Sequence, residues 1–228
     1  MSNELVEQVK LAGVVGAGGA GFPTHVKLAA KAEILIANGT ECEPMLQSDQ
    51  HLMVTEAEAV LQGMRLGMDA TGASEGIIAI KHHYHDAVEA FEALLPKYPD
   101  IRIHLFDAFY PAGDEYVVVY DCTGRQVPEN GLPIMVGVVV QNVTTLRNIA
   151  LAAQGVPVTD KLLTVAGQVN RPAPLPAPVG TSYAPLVAAA GAVHEQRLPG
   201  YSRLEPTPRE GRPTMVPTPS HRAHAPTP

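Results

Sequence analysis

Along the first 155 or so residues, short apolar runs alternate with longer stretches whose apolar positions recur every three or four residues. The short runs are EILIA from Glu33, GIIAIK from Gly76, IRIHLFDA from Ile101 and VGVVVQN from Val136. Runs of that length predict strands; those with few polar positions predict strands buried on both faces, as in a parallel sheet. The longer stretches predict helices. One covers residues 3–13, with Leu5, Val6, Val9 and Leu11 on one side. A second runs from His25 to Lys31, entered through Pro23 and Thr24. A third is capped by Ser48 or Asp49 and carries Leu52, Ala57, Val60, Leu61, Met64 and Leu66. A fourth spans Asp86 to Leu95 and is ended by Pro96, and a fifth, VTTLRNIALAAQG, closes on glycine. VVVYDC, from Val117, fits strand or helix equally.

This alternation predicts an α/β fold over residues 1–157, a Rossmann-like parallel sheet with helices on both faces. The pattern changes after Pro157. KLLTVAGQV predicts a strand, and RPAPLPAPVGTSYAPLVAAAGA a proline-punctuated connection leading to a short helix near Thr181. Residues 158–193 therefore read as an incomplete β-grasp-like segment. Residues 194–228, rich in Pro, Arg, Thr and His, predict a disordered tail. The start of that tail cuts across an unfinished domain, as expected of a truncation or frameshift.

Composition narrows the function. The formal charge of -7, with only 17 % charged residues, argues against a nucleic-acid surface. No apolar run approaches the roughly 20 residues of a membrane helix. The amino terminus lacks the basic-then-apolar order of a secretory signal, and a cytoplasmic setting is expected. The two cysteines, Cys42 and Cys122, form no CxxC pair. A four-iron cluster takes about four thiolates, so any such cluster lies off this chain.

Candidate chemistry sits in polar and glycine-rich loops that fit the carboxyl ends of the strands, where parallel sheets bind ligands. Gly16, Gly18, Gly19 and Gly21 allow close backbone approach, and amides there and at the next helix start suit a phosphate, with Lys27 adding charge. A tight turn without ligand is equally compatible. An ordinary dinucleotide loop is disfavoured: a helix, not a strand, precedes the glycines, and Asn38 and Gly39 stand where an acidic residue is expected. Asn38, Glu41 and Glu43 in NGTECEP form either a solvated loop or hydrogen-bonding partners for a ribose, flavin or nicotinamide. Cys42 lacks an identifiable histidine partner, which favours a structural thiol over a nucleophile. His82, His83 and His85 have poor spacing for a tetrahedral metal site, and no metal is predicted.

Taken in order, GAGGAGFPTHVKL, NGTECEP, YPAGDE and QNVTTLRNIA resemble the NADH-binding flavoprotein family that includes the 51-kDa subunit of respiratory complex I and the C subunit of the Rnf complex. GVVGAGGAGFPTHVKL and ECEPMLQSDQ are most similar to its cobalamin-reductase branch, found in propanediol-utilising microcompartments. The resemblance covers about residues 5–193, with the last part similar to the start of a soluble-ligand-binding β-grasp domain. It implies FMN in a cleft and NADH stacked over it. Gly16, Gly18, Gly19 and Lys27 match the glycine-loop contacts, and Asn38, Glu41 and Glu43 the acidic loop facing flavin and nicotinamide. Tyr110, Gly113 and Glu115 match a Gly-Glu-Glu loop in which Asp114 replaces the first Glu. Asn142 and Thr145 match a segment in which Gln141 replaces an Asn and Thr144 a Glu. The aromatic residue expected just after Lys27 is absent, since Leu28 and Ala29 follow. The implied activity is hydride transfer from NADH to FMN, with Glu41 and Glu43 orienting the nicotinamide. Electrons would pass to an iron–sulfur protein or domain, or to a cobalamin-dependent system. The implied location is cytoplasmic, inside a microcompartment or peripheral on a membrane complex. Two other readings remain: a non-catalytic remnant that keeps the fold, and a simple NAD-dependent dehydrogenase.

Overall fold

A computed structural model of the chain describes residues 2–191. The expectation of a disordered tail over residues 194–228 lies outside the described residues, as do the last two residues of the 158–193 segment. Four parallel strands form the central sheet: β1 (Ile34–Gly39), β2 (Glu75–Lys81), β3 (Ile101–Phe106) and β4 (Val138–Asn142), in the order β3-β2-β1-β4. Leu35, Ala37, Ile78 and Ile80 face a core made with α1 (Ser2–Leu11), α3 (Ser48–Thr55), α4 (Ala57–Thr71), α5 (His85–Glu92) and α7 (Val143–Ala153). The alternate residues Ile34, Ile36, Ile77, Ala79, Val138 and Val140 meet Val118, Val119 and Cys122 of α6 (Glu115–Thr123). The inner strands thus have no wet face, which is why their sequences are apolar without alternation. Helices cover both faces, unequally.

The chain builds β1, β2 and β3 in one direction across the sheet, then returns to place β4 on the other side of β1. Loops leaving the carboxyl ends of β1 and β4 therefore turn apart and leave a crevice between them.

Several local outcomes decide between the alternatives of the sequence pattern or differ from it. The stretch VVVYDC is helical: Asp114 caps α6 by accepting from the amides of Tyr116 and Val117, and Gly124 ends it in the left-handed region. These caps, with burial of Val118 and Val119, override the strand preference of three consecutive valines. The predicted third helix is two, broken at Glu56, which leaves helical geometry and pairs with Arg147 at 2.8 Å. Neither Ser48 nor Asp49 caps α3; the N-cap is Gln47 without a side-chain bond, and Asp49 turns inward. Helix α2 (Thr24–Leu28) is a single turn, and α5 ends at Glu92, a turn before Pro96.

The proline-punctuated connection is a strand. β6 (Ala173–Pro178) pairs antiparallel with β5 (Asp160–Val165), and α8 (Tyr183–Ala189) packs on the hairpin. Pro174, Pro176 and Pro178 fall on alternate positions, so one phase of the strand keeps every N–H for β5 while the other, lacking donors, forms the free edge. The hairpin joins the main body through Val158 N–H to the Ala12 carbonyl (2.9 Å) and Gln47 N–H to Thr164 Oγ1 (2.9 Å).

Helices α4 and α7 approach closely at Gly63, where an added Cβ would run into the carbonyl of Leu146. Gly63→Ala forces these helices apart and is expected to lower stability by about 3 kcal/mol, measured as a reduced midpoint in urea unfolding.

Candidate functional site

The crevice at the ends of β1 and β4 is a cleft of about 370 Å³, within the size range of small-molecule sites. Three loops and one strand end build it. The first is the glycine loop, closed at its base by a bridge between Val15 and Pro23 and by Gly16 N–H to the Phe22 carbonyl (2.9 Å). Its inner side is tied down where Ala17 N–H donates to Thr145 Oγ1 at 2.9 Å. Gly16, Gly18 and Ala20 line the cleft. Because α2 is one turn long, an anion here would rely on the loop's own amides, not on a helix end.

The second loop follows β1. Asn38 Nδ2 donates to the Gly113 carbonyl (3.1 Å), and its Oδ1 accepts from the amide (3.1 Å) and hydroxyl (2.7 Å) of Thr40. Asn38 lines the cleft, and its amide group is also a joint between two loops. Glu41 is buried and accepts from Glu43 N–H through Oε1 at 2.9 Å. The third loop, residues 110–114, lies directly on the second. A Cβ at Gly113 would come within 2.6 Å of the Thr40 carbonyl oxygen and 3.2 Å of Cys42 Sγ, so only glycine permits the approach.

From β4 come Val140, Gln141 and Asn142. Gln141 is 4 % exposed, yet its Nε2 has no hydrogen-bond partner among the described residues. A buried amide donor left unmatched is costly, and here it lines the cleft. Asn142 is the N-cap of α7: Oδ1 accepts from Thr144 N–H (2.9 Å), and Nδ2 donates to Asp49 (2.7 Å). Asp49 also accepts from Thr144 Oγ1 at 3.0 Å, so both of its oxygens are used.

Lys27 Nζ donates to Glu115 Oε1 (2.8 Å) and to the Val140 carbonyl (2.9 Å), and lies 5.7 Å from the centre of the Phe22 ring. Its third proton is available to a ligand. Among the described residues, Lys27 is the only basic side chain in the cleft wall, against Glu41, Asp49, Asp114 and Glu115. Side-chain charge alone therefore disfavours an anion, and backbone amides must supply the attraction. Behind the acidic loop, burial and then Glu41, Asp49 and Cys42 push the Tyr84 phenol up to about 12.

Of the residues singled out from sequence, Gly16, Gly18, Lys27, Asn38, Glu41, Gly113, Glu115 and Asn142 share this cleft. Gly19, Glu43, Tyr110 and Thr145 are not in its wall: Gly19 and Tyr110 are exposed, Glu43 is half-buried, and Thr145 is buried beneath the glycine loop. Gln141, Thr40, Asp49 and Phe22 line the cleft without having been singled out as binding residues. A polar residue inside an otherwise apolar strand was the available signal for Gln141. Phe22 supplies an aromatic ring at the cleft from the other side of Lys27 than the pattern suggested. Cys42 lines the cleft, whereas burial raises the Cys122 thiol to about 12, with Asp121 adding to the effect. His82 lies 3.2 Å from the Phe106 carbonyl, and the His83 ring packs edge-on against Tyr84. Burial lowers the His83 pKa, with Lys81, His82 and His85 acting in the same sense. Among the described residues no group of three or more His, Cys, Asp or Glu is placed to hold a metal ion, and no helix is long and apolar enough to cross a membrane.

Residues 9–151 match the sequence model of the Nuo51 FMN-binding domain of complex I. The chain is 50 % identical over 186 residues to the cobalamin reductase PduS of Citrobacter freundii, covering 81 % of this chain and 41 % of that protein. It is 35 % identical over 196 residues to the C subunit of the Na(+)-translocating ferredoxin:NAD(+) oxidoreductase complex of Acetobacterium woodii, covering 83 % of this chain and 44 % of that protein. The fold is similar to that of a chain of an NAD+-reducing [NiFe]-hydrogenase in the H2-reduced state, with a TM-score of 0.75, 26 % identity, and coverage of 84 % of this chain and 39 % of that one. The chain thus spans about two fifths of the length of the curated relatives it matches. With its cleft at the β1–β4 divergence and the matched region spanning all four strands of the sheet, this chain belongs to the Nuo51 FMN-binding domain family.

Proposed function

We propose that the cleft binds FMN and that the chain is the NADH-oxidising module of an electron-transfer flavoprotein. Residues 1–157 would form the FMN- and NADH-binding unit, and residues 158–193 the beginning of a β-grasp unit docked against it. An iron–sulfur protein or domain, or a cobalamin-dependent system, would take the electrons in the cytoplasm, in a microcompartment or at a membrane surface. The observation that carries the reading is the buried Gln141 amide, unmatched by any acceptor among the described residues and lining a cleft that also holds the glycine loop, Lys27 and four carboxylates.

That donor set fits FMN. Gly16 and Gly18 bring main chain to the cleft without side chains, the Gly16 amide being spent on Phe22 and the Gly18 amide not, and Lys27 has a proton to spare, so the loop suits a phosphate monoester. Gln141 Nε2 can donate to a carbonyl or ring nitrogen of a flat heterocycle lying against Val140 and Gly113. FMN, when bound, supplies the chemistry of accepting a hydride and releasing electrons singly. The protein's own part is binding and electrostatics. Asn38 and Thr40 hold the wall beside Gly113 in place, and Phe22 offers an aromatic face at the cleft for a nicotinamide dinucleotide. Glu41 fixes the turn of the acidic loop through Glu43 N–H, which sets where both carboxylates stand relative to a nicotinamide amide.

Titration of the purified chain with FMN is expected to give a yellow complex at micromolar flavin, bleached by NADH under anaerobic conditions; failure to bind FMN would sink the reading. Gly18→Val places a branched side chain where the backbone must meet the ligand, and should weaken FMN binding at least tenfold, or about 1.4 kcal/mol. Calorimetry showing native affinity would mean that the loop does not hold the phosphate. Glu43→Gln should slow NADH oxidation about tenfold while FMN affinity stays within about twofold, since Glu43 stands outside the wall that would hold the flavin and its charge would act on the nicotinamide. Stopped-flow bleaching and flavin titration on the same sample separate the two effects.

A further inference from the structure

Behind the cleft lies a second space of about 20 Å³, bounded by Ala17 of the glycine loop, Glu41, Asp49 at the start of α3, Thr144 on α7 and Lys161 on β5. Glu41 and Asp49 line both spaces, so these two carboxylates form the partition between them. All three charged residues are almost wholly withdrawn from water, with exposures of 8 % for Glu41, 8 % for Asp49 and 9 % for Lys161. Charges so placed persist only when opposite charge and hydrogen bonds compensate their lost hydration. Asp49 accepts on both oxygens, from Asn142 Nδ2 and Thr144 Oγ1, as suits a carboxylate. Lys161 is the cation that lines the same small space. It comes from the hairpin that follows Pro157, outside the region matched by the family, residues 9–151.

We propose that Lys161 is a positioning residue that balances the Glu41–Asp49 carboxylates behind the cleft, so that the β5–β6 hairpin sets the charge felt by the group bound in front of them. The inference rests on the FMN reading of the cleft. With Lys161 protonated and both carboxylates ionised, the cluster carries one net negative charge; without Lys161 it carries two. Reduction of a bound flavin adds electron density beside this partition, so the reduced form loses more from removal of Lys161 than the oxidised form does. The raised Tyr84 phenol is in keeping with a negative field here, since Glu41 and Asp49 both contribute to it after burial.

The test is potentiometric titration of the FMN-loaded chain at one pH, for the native protein, Lys161→Gln, Lys161→Arg and the double variant Lys161→Gln/Asp49→Asn. Lys161→Gln is expected to hold reduced FMN at least tenfold less tightly relative to oxidised FMN than the native protein does, a midpoint lower by about 30 mV for a two-electron couple. Lys161→Arg and the double variant, each restoring the net charge, should return to within threefold of native. A loaded Lys161→Gln protein at the native potential, or a double variant no closer to native than the single, overturns the proposal. If Lys161→Gln folds only when combined with Asp49→Asn, as read by circular dichroism, charge balance is again supported; if both are unfolded, Lys161 serves packing and the proposal falls. Native protein that binds no FMN would overturn this inference and the proposed function together, whereas FMN binding with unmoved potentials would overturn this inference alone.

Discussion

The close approach of the loop after β3 to the loop after β1 is the contact on which the cleft depends. Asn38 and Thr40 grip the carbonyls of Gly113 and Ala112, and the absence of a side chain at Gly113 lets the two main chains meet. Residues 107–111 are exposed, so the wall opposite the glycine loop is held in place by this contact together with the burial of Ala112 in the core beneath α6. The sheet explains why the contact lies where it does. β1 is central, β4 joins it on the side away from β2, and the segment that carries Gly113 crosses to the face covered by α6 before β4 begins. One reversal of strand order thus creates the crevice, and a handful of hydrogen bonds gives it walls.

The long periodic stretches were legible because burial alone decides them. Two-sided burial makes the middles of β1 and β2 and the start of β4 apolar without alternation, and one-sided burial gives α1, α4 and α7 their stripes. Where local preference and context disagree, the pattern leaves the outcome open or misleads. Three valines favour a strand, yet Asp114 and Gly124 bracket a helix of which Val118 and Val119 form the buried side. Prolines argue against a strand, yet Pro174, Pro176 and Pro178 share one phase and so leave the bonding phase intact. Neither outcome can be read from residue preference, because each depends on what lies across from the segment.

The candidate site divides along a similar line. Glycines and carboxylates announce themselves by type, and five of them, Gly16, Gly18, Gly113, Glu41 and Glu115, meet in one cleft with Lys27, Asn38 and Asn142. Their roles are less visible. Asn38 has the chemistry of a ligand-binding amide and spends much of it on Thr40 and Gly113. Thr145 lies under the glycine loop and holds Ala17 instead of facing the cleft. Gln141 gives only a faint signal in sequence, as a polar residue in an apolar strand, and becomes informative once its neighbours in three dimensions fail to satisfy it.

The balance of charge around the cleft gives these parts a common logic. One lysine, already bonded to Glu115 and to a main-chain carbonyl, faces four carboxylates. Such a wall repels an anion unless fixed dipoles oppose it, and in the glycine loop the amides not spent on Phe22 and Thr145 are the donors left to do so. It also disfavours adding electrons to anything bound there unless a cation stands behind the carboxylates. Lys161 occupies that position, carried by a hairpin that contributes nothing to the central sheet. The segment after Pro157 is therefore more than an appendage: it closes the polar cluster at the back of the cleft, and the electrostatics of the site belong to both parts of the chain.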